Sequence, residues 1–162
     1  MIRPATPDDS AAVTALAVET GMFSPQDAGV VDRMMTDYFG GARDEGHLCL
    51  IDEEEGTRGV AYVLPVTATE GTWELLMIAV RPGLQGQGRG GALLRRVEDD
   101  LRSQGGRLLL VQTSGTPDFA RTRAFYAKSG YEQEARVRDY YAPGVDMILF
   151  RKALTAPGDG PG

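Results

Sequence analysis

The stretch Gln85-Gly86-Gln87-Gly88-Arg89-Gly90-Gly91 lies between two segments of opposite character. Before it runs Trp73-Glu74-Leu75-Leu76-Met77-Ile78-Ala79-Val80, an apolar run that reads as a buried strand. After it, Leu93, Leu94, Val97 and Leu101 recur at helical spacing. A strand therefore leads through a glycine-rich turn into a helix. Glycine tolerates positive φ and lets the backbone approach a ligand with no Cβ in the way. The first amides of a helix point outward, and the helix dipole favours an anion there. Such a turn suits a phosphate or pyrophosphate, and Arg89 adds a positive charge beside it. A plain turn is the bland alternative, but four glycines within residues 86–91 cost much chain entropy for that purpose alone. A P-loop would end in Gly-Lys-Ser/Thr, which is absent. Gly86, Gly88 and Gly91 fit the dinucleotide pattern G-x-G-x-x-G literally. That pattern expects an acid at the end of the following strand to hold a ribose, and here that strand ends Leu110-Val111-Gln112-Thr113.

The chain of 162 residues is long enough for one domain with a sizeable core, and its hydrophobic fraction of 42% is ordinary for a globular protein. A net charge of −6 disfavours a nucleic-acid partner and mildly favours cationic substrates. The single cysteine, Cys49, excludes an intramolecular disulfide and lies in an apolar run that reads as core. No stretch approaches the roughly 18–20 apolar residues of a membrane span, and the start, Met1-Ile2-Arg3-Pro4, lacks a signal-peptide apolar region. A cytoplasmic protein with no membrane partner is the expectation. His47 is the only histidine, so no convincing metal ligand set exists.

In chain order, residues 2–5 suggest a short strand. Helices follow after the caps at Asp8, Asp9 and Ser10, and again after Ser24-Pro25-Gln26-Asp27. Residues 47–51, 59–66 and 73–80 read as strands, with Asp52-Glu53-Glu54-Glu55-Gly56 as an acidic, solvated hairpin tip. Beyond the glycine turn come a helix to about Ser103, a short apolar strand at 108–113, a helix carrying Ala124-Phe125-Tyr126, and two strands at 131–141 and 147–152. The order β-α-α-β-β-β-α-β-α-β-β implies an α/β fold. Its mixed, mostly antiparallel central sheet has helices on both faces, and one β-α-β unit supplies a parallel pair. Residues 1–154 form one expected domain, and the Pro/Gly-rich residues 155–162 an expected disordered tail.

This order resembles that of the GNAT superfamily of acyl-CoA-dependent N-acyltransferases, over nearly the whole chain. Gln85-x-x-Gly88-x-Gly90 is similar to the family's Q/R-x-x-G-x-G/A motif, and residues 73–101 to its motif A. Ala124-Phe125-Tyr126-Ala127-Lys128-Ser129-Gly130-Tyr131 is similar to its motif B. One departure is Phe119, where many members carry an asparagine. The resemblance implies acetyl-CoA as co-substrate and no metal. It implies a V-shaped opening between the splayed parallel strands 73–80 and 108–113, and coenzyme contacts at Ile78, Ala79, Val80, Gln85, Gly86, Gln87, Gly88, Arg89, Gly90 and Gly91. It makes Glu74 a candidate general base, the alternative being an exposed strand carboxylate. It makes Tyr126 a candidate general acid at the coenzyme sulfur, the alternative being a packed aromatic. Tyr140 and Tyr141 are candidates for the acceptor wall, or simply strand formers. The implied reaction is acetyl transfer to a primary amine of a small molecule or a peptide N-terminus, by a monomer or homodimer. A catalytically silent acyl-CoA-binding regulatory module is the alternative.

Overall fold

The computed structural model describes residues 1–155; the expected disordered tail, apart from its first residue, lies outside them. Strands β1 (Ile2–Pro4), β2 (Leu48–Glu53), β3 (Thr57–Pro65), β4 (Thr72–Val80), β5 (Leu108–Ser114), β6 (Glu132–Ala142) and β7 (Val145–Ala153) hydrogen-bond in the order β1-β2-β3-β4-β5-β7-β6. The helices are α1 (Ser10–Glu19), α2 (Ala28–Gly40), α3 (Arg89–Ser103) and α4 (Ala120–Lys128). The mixed, mostly antiparallel α/β sheet and the element order match the expectation. Backbone contacts group the chain into two units, Met1–Pro65 with Leu76–Asp99, and Val66–Leu75 with the residues from Asp100 on. Among the described residues, no helix is long and apolar enough to cross a membrane.

In the first unit, the alternation of β2 decides which side chains meet which helix. Cys49 and Ile51 point into one cluster with Val13 and Leu16 of α1 and Val31 and Met35 of α2, all essentially inaccessible to solvent. Burial pushes the Cys49 thiol up to about 12, with a smaller push from the Asp9 charge. A thiol held so far from its thiolate is core, not nucleophile. Leu50 and Asp52 take the other face, where α3 packs. Gly59 of β3 stands opposite Asp52, and a Cβ there would come within 2.8 Å of the Leu93 side chain and 3.2 Å of the Ala79 carbonyl oxygen. The missing side chain is what lets α3 lie so close to β3. The predicted stripe of α3 is realised in Leu93, Leu94, Val97 and Leu101, each at most 1% exposed.

Two local readings need correction. The acidic hairpin tip is shorter than its sequence suggests, because β2 continues through Asp52 and Glu53. Asp52 is buried and faces Ile2 of β1. It is tolerated inside the ladder because Arg89 reaches it at 3.0 Å. Ser24 does cap a helix start, accepting from the Asp27 amide, but the first turn is a tight 3-10 turn and α2 proper begins at Ala28.

The entry to α1 is held by a charge pair. Two guanidinium N–H groups of Arg3 donate to the Asp9 carboxylate at 2.8 and 2.9 Å, and the Thr6 amide donates to it at 2.7 Å. The Arg3 hydrogen bonds hold the Asp9 carboxyl below its ordinary range against the opposing effect of burial. A lowered folded-state value means that the unfolded chain binds the proton more tightly. The contribution to stability is therefore complete above the unfolded carboxylate value of about 4 and is lost as pH falls through the folded one. Asp9→Asn is expected to cost about 2 kcal/mol at pH 7, less than the roughly 3–5 kcal/mol of breaking a fully buried pair because Arg3 is partly exposed. Urea unfolding at pH 7 and pH 2 checks this: an equal loss at both would show that packing, not charge, is at stake.

In the second unit, β5 is central. It pairs antiparallel with β7 from Leu108↔Ala153 to Ser114↔Met147. Its parallel ladder with β4 pairs Thr72 with Leu108, Trp73 with Leu109, Glu74 with Leu110 and Leu75 with Val111.

Candidate functional site

The turn after β4 is built around local bonds. The Leu84 amide donates to the Arg81 carbonyl at 3.0 Å, and the Gln85 side-chain amide donates to the Val80 carbonyl at 3.2 Å, folding the loop back on the strand end. Gly83, Gly86 and Gly88 have φ of 91°, 80° and 81°. A side chain at any of the three would be strained. Gly90 and Gly91 differ: they lie in the first turn of α3 and need no positive φ. The Ala92 amide reaches back to the Gly88 carbonyl at 3.0 Å. The amides of Arg89, Gly90 and Gly91 precede it and so have no acceptor within the helix. A Cβ built on Gly88 meets nothing within 4 Å, so the space above the turn is open. Open space, outward amides and a helix N-terminus together fit a pyrophosphate.

The Arg89 side chain is engaged elsewhere. Its guanidinium donates to Asp52 at 3.0 Å and to Glu54 at 2.5 Å. These bonds, that to Glu54 first, raise its own pKa, and Arg89 in turn lowers that of Glu54. The side chain thus ties the start of α3 to the β2–β3 hairpin, while its backbone amide stays with the turn. Sequence reasoning missed the two carboxylates. An acid closing an otherwise apolar alternating run, Leu48-Cys49-Leu50-Ile51-Asp52, was the available signal.

Strand β4 carries the next group. Trp73, Leu75, Met77 and Ala79 are buried, whereas Glu74 and Ile78 are half-buried and Leu76 is 51% exposed. The face bearing Glu74 is therefore the more open one, as strand periodicity suggests for a lone acid. Val80, at the strand end, is buried on the same alternation. Among the described residues Glu74 has no hydrogen-bond or ion-pair partner, and burial raises its carboxyl pKa. The phenol of Tyr141 is raised as well, by burial first, then by Tyr140 and by the charge of Glu74. That electrostatic influence brings one candidate acceptor-wall residue into the neighbourhood of the candidate base.

Tyr126 is 4% exposed. Its ring packs against Phe125, Tyr131 and Phe150 at centroid separations of 5.3, 5.9 and 5.8 Å. Burial raises the phenol pKa, so the group is protonated at neutral pH. The phenol makes no hydrogen bond to a described residue, which leaves its proton uncommitted. Phe119 stands at the N-cap of α4 and offers no polar side chain.

Tyr140 and Tyr141 stand in a bulge of β6, about half exposed, with ring centroids 4.9 Å apart and planes at 88°. His47 hydrogen-bonds the Tyr62 hydroxyl at 2.7 Å, a structural partner fifteen residues away. Among the described residues, no three His, Cys, Asp or Glu side chains are grouped so as to hold a metal ion.

The glycine turn at a helix N-terminus is of the kind that accepts a phosphate group, and comparison with known proteins gives the family. The model of the Acetyltransferase (GNAT) family matches residues 15–131, and the chain belongs to that family. It is similar to the amino-acid acetyltransferase of Ectopseudomonas mendocina (strain ymp), 34% identical over 104 residues. That match covers 64% of this chain but only 24% of the relative. Among solved structures it resembles a putative acetyltransferase of the GNAT family from Desulfovibrio desulfuricans, 35% identical, with a TM-score of 0.90, covering 96% of this chain and 99% of the other. A putative acetyltransferase from Salmonella typhimurium, solved with its cofactor acetyl-CoA, shares the fold at 21% identity and a TM-score of 0.80, covering 97% of this chain and 95% of that one.

Proposed function

We propose that this chain transfers the acetyl group of acetyl-CoA to a primary amine by direct attack of the amine on the thioester, with residues 1–154 acting as one acyltransferase domain. The observation that carries the reading is the turn at residues 83–91, with three glycines at positive φ, open space above Gly88 and helix amides without acceptors. In this reading the amides from Gly86 to Gly91 hold the coenzyme pyrophosphate, Gln85 shapes the turn, and Arg89 fixes it through Asp52 and Glu54. The backbone of Ile78, Ala79 and Val80 serves the pantetheine arm, and an N–H there faces the thioester oxygen as it gains charge. Glu74 takes the proton of the acceptor ammonium, directly or through water. The neutral amine nitrogen bonds the acetyl carbon, the carbon–sulfur bond breaks with its electron pair left on sulfur, Tyr126 donates a hydrogen bond to that sulfur as it leaves, and the second proton of the nitrogen passes to the coenzyme thiolate or to solvent as the amide forms. Tyr140 and Tyr141 wall the acceptor side. The acceptor is a small-molecule amine or a peptide N-terminus; the likeness to an amino-acid acetyltransferase supports including free amino acids.

The test is thiol release from acetyl-CoA with spermidine, kanamycin, the free L-amino acids and an alanine-initiated peptide. At least one amine should raise the rate tenfold over the amine-free background. No stimulation by any of them, with coenzyme binding intact, would point to a silent acyl-CoA-binding module.

Ligand specificity gives a second check. Coenzyme A at about 100 times its dissociation constant should add roughly 2.7 kcal/mol, a melting-point rise of about 5–10 °C for a chain this size. NAD should give no shift, since β5 ends without an acid for the ribose. Stabilisation by NAD and not by coenzyme A would overturn the reading.

Gly88→Val should weaken coenzyme A binding about tenfold or more while the fold persists, because it strains a left-handed backbone and fills the space above the turn. Calorimetric titration of coenzyme A reads the effect. An unchanged affinity would mean that the pyrophosphate sits elsewhere.

A further inference from the structure

The β6–β7 ladder contains an unusual interruption. Val137 pairs with Met147 and Ala142 with Val145, so Arg138, Asp139, Tyr140 and Tyr141 stand against Asp146 alone. A bulge of this size has lost its ladder bonds and needs other ones to keep a shape. Asp146 supplies them. Its Oδ1 accepts from the Asp139 amide at 3.0 Å, and its Oδ2 forms an ion pair with Nε of Arg136 at 2.8 Å. Asp139, at a φ of 57°, completes the arrangement by accepting from the Gly144 amide at 2.7 Å. Left-handed backbone at a residue other than glycine persists where its surroundings enforce it, and such positions cluster where geometry matters. The immediate product of this arrangement is the perpendicular, half-exposed pair Tyr140 and Tyr141.

We propose that Asp146 is a positioning residue for the acceptor amine, fixing the 138–141 bulge so that Tyr140 and Tyr141 are presented in one arrangement before the acceptor arrives. This rests on the reading of the tyrosine pair as the acceptor wall. Rings held in place beforehand lose no freedom on binding, so the effect falls on acceptor affinity. A tyrosine face also attracts an ammonium, and Glu74 influences Tyr141 from nearby. The acceptor form recognised by this wall is therefore the cation, with proton removal left to the later step.

The test compares Asp146→Ala, Asp146→Asn and Tyr141→Ala with the best acceptor from the amine panel, measuring the acceptor KM, the acetyl-CoA KM and kcat separately. Asp146→Ala should raise the acceptor KM about tenfold, the scale of losing hydrogen bonds to a charged group, with kcat and the acetyl-CoA KM within twofold of wild type. Asp146→Asn keeps an oxygen for the Asp139 amide and should stay within threefold throughout. If the alanine variant does not fold, Asp146→Thr, which suits a strand but cannot accept from both partners, is read by the same criteria. An acceptor KM within twofold of wild type in Asp146→Ala, while Tyr141→Ala raises it tenfold, would overturn the positioning role and leave the acceptor wall standing. A parallel rise in the acetyl-CoA KM would also overturn it, as general distortion. An unaffected acceptor KM in Tyr141→Ala, or no turnover with any amine, would remove the underlying acceptor reading and the proposal with it.

Discussion

Tyr126→Phe is expected to lower turnover about a hundredfold while leaving acetyl-CoA affinity and thermal stability nearly unchanged. The phenylalanine ring keeps the contacts with Phe125, Tyr131 and Phe150. No described residue loses a hydrogen-bond partner, because the phenol bonds none. The effect then falls on the moment when the coenzyme sulfur gains charge. A positioned acid commonly contributes about 10²–10⁴. The lower end applies here for a reason visible in the structure: burial raises the phenol pKa, whereas a thiolate is a base of only about 8.5. Complete proton transfer from such a phenol to such a sulfur is uphill. In the proposed role, Tyr126 would therefore stabilise the leaving group mainly by a strengthening hydrogen bond, stronger in the transition state than in the ground state. Turnover and equilibrium acetyl-CoA binding, measured side by side, separate the two roles. Turnover within threefold of wild type, with a lowered melting point, would make Tyr126 a packing residue and leave protonation of the sulfur to water.

How far the site is legible in the sequence depends on the distance between partners. The β4–turn–α3 passage is local. Its signals, an apolar run, clustered glycines and the Leu93–Leu94–Val97–Leu101 stripe, lie within thirty residues and survive folding intact. Cys49 is legible for the same reason, since its apolar neighbours declare a strand. Asp52 is not. Within residues 52–56 it looks like one more solvated acid, and partners distant in sequence, Arg89 at 37 positions and the N-terminal ammonium of Met1, make it a buried ion-pair member. The bulge of β6 is hidden differently. Residues 139–144 contain every mark of a hairpin end, and nothing local says that the ladder is already broken at Val137. The glycines of the turn show the limit of composition. All are alike in sequence, yet helix geometry takes Gly90 and Gly91 while positive φ takes Gly86 and Gly88.

Glu74→Gln is expected to lower turnover about a hundredfold at pH 7 and progressively less at higher pH. An alkylammonium with a pKa near 10 is free amine to only about one part in a thousand at pH 7, so a base within reach of the acceptor matters most there. The raised pKa of the Glu74 carboxyl makes its anion a stronger base than an ordinary carboxylate. The same shift places the acid limb of the wild-type pH profile above the usual carboxylate range of about 4.3. In the glutamine variant solvent must remove the proton, so its rate should climb about tenfold per pH unit until the amine itself titrates. Stability should move the other way. A carboxyl whose pKa is raised on folding binds its proton more tightly in the native state, so native stability falls as pH rises through that window and stays lower above it. Glutamine carries no charge to desolvate, and the melting point of the variant at pH 7 should equal or exceed that of the wild type. A large activity loss without a stability loss would identify Glu74 as a group kept for chemistry at the expense of packing. Full activity at pH 7 would place the base elsewhere, or mean that the acceptor arrives already neutral. A rate deficit that stays constant from pH 7 to pH 10 would assign Glu74 to binding the ammonium instead of deprotonating it.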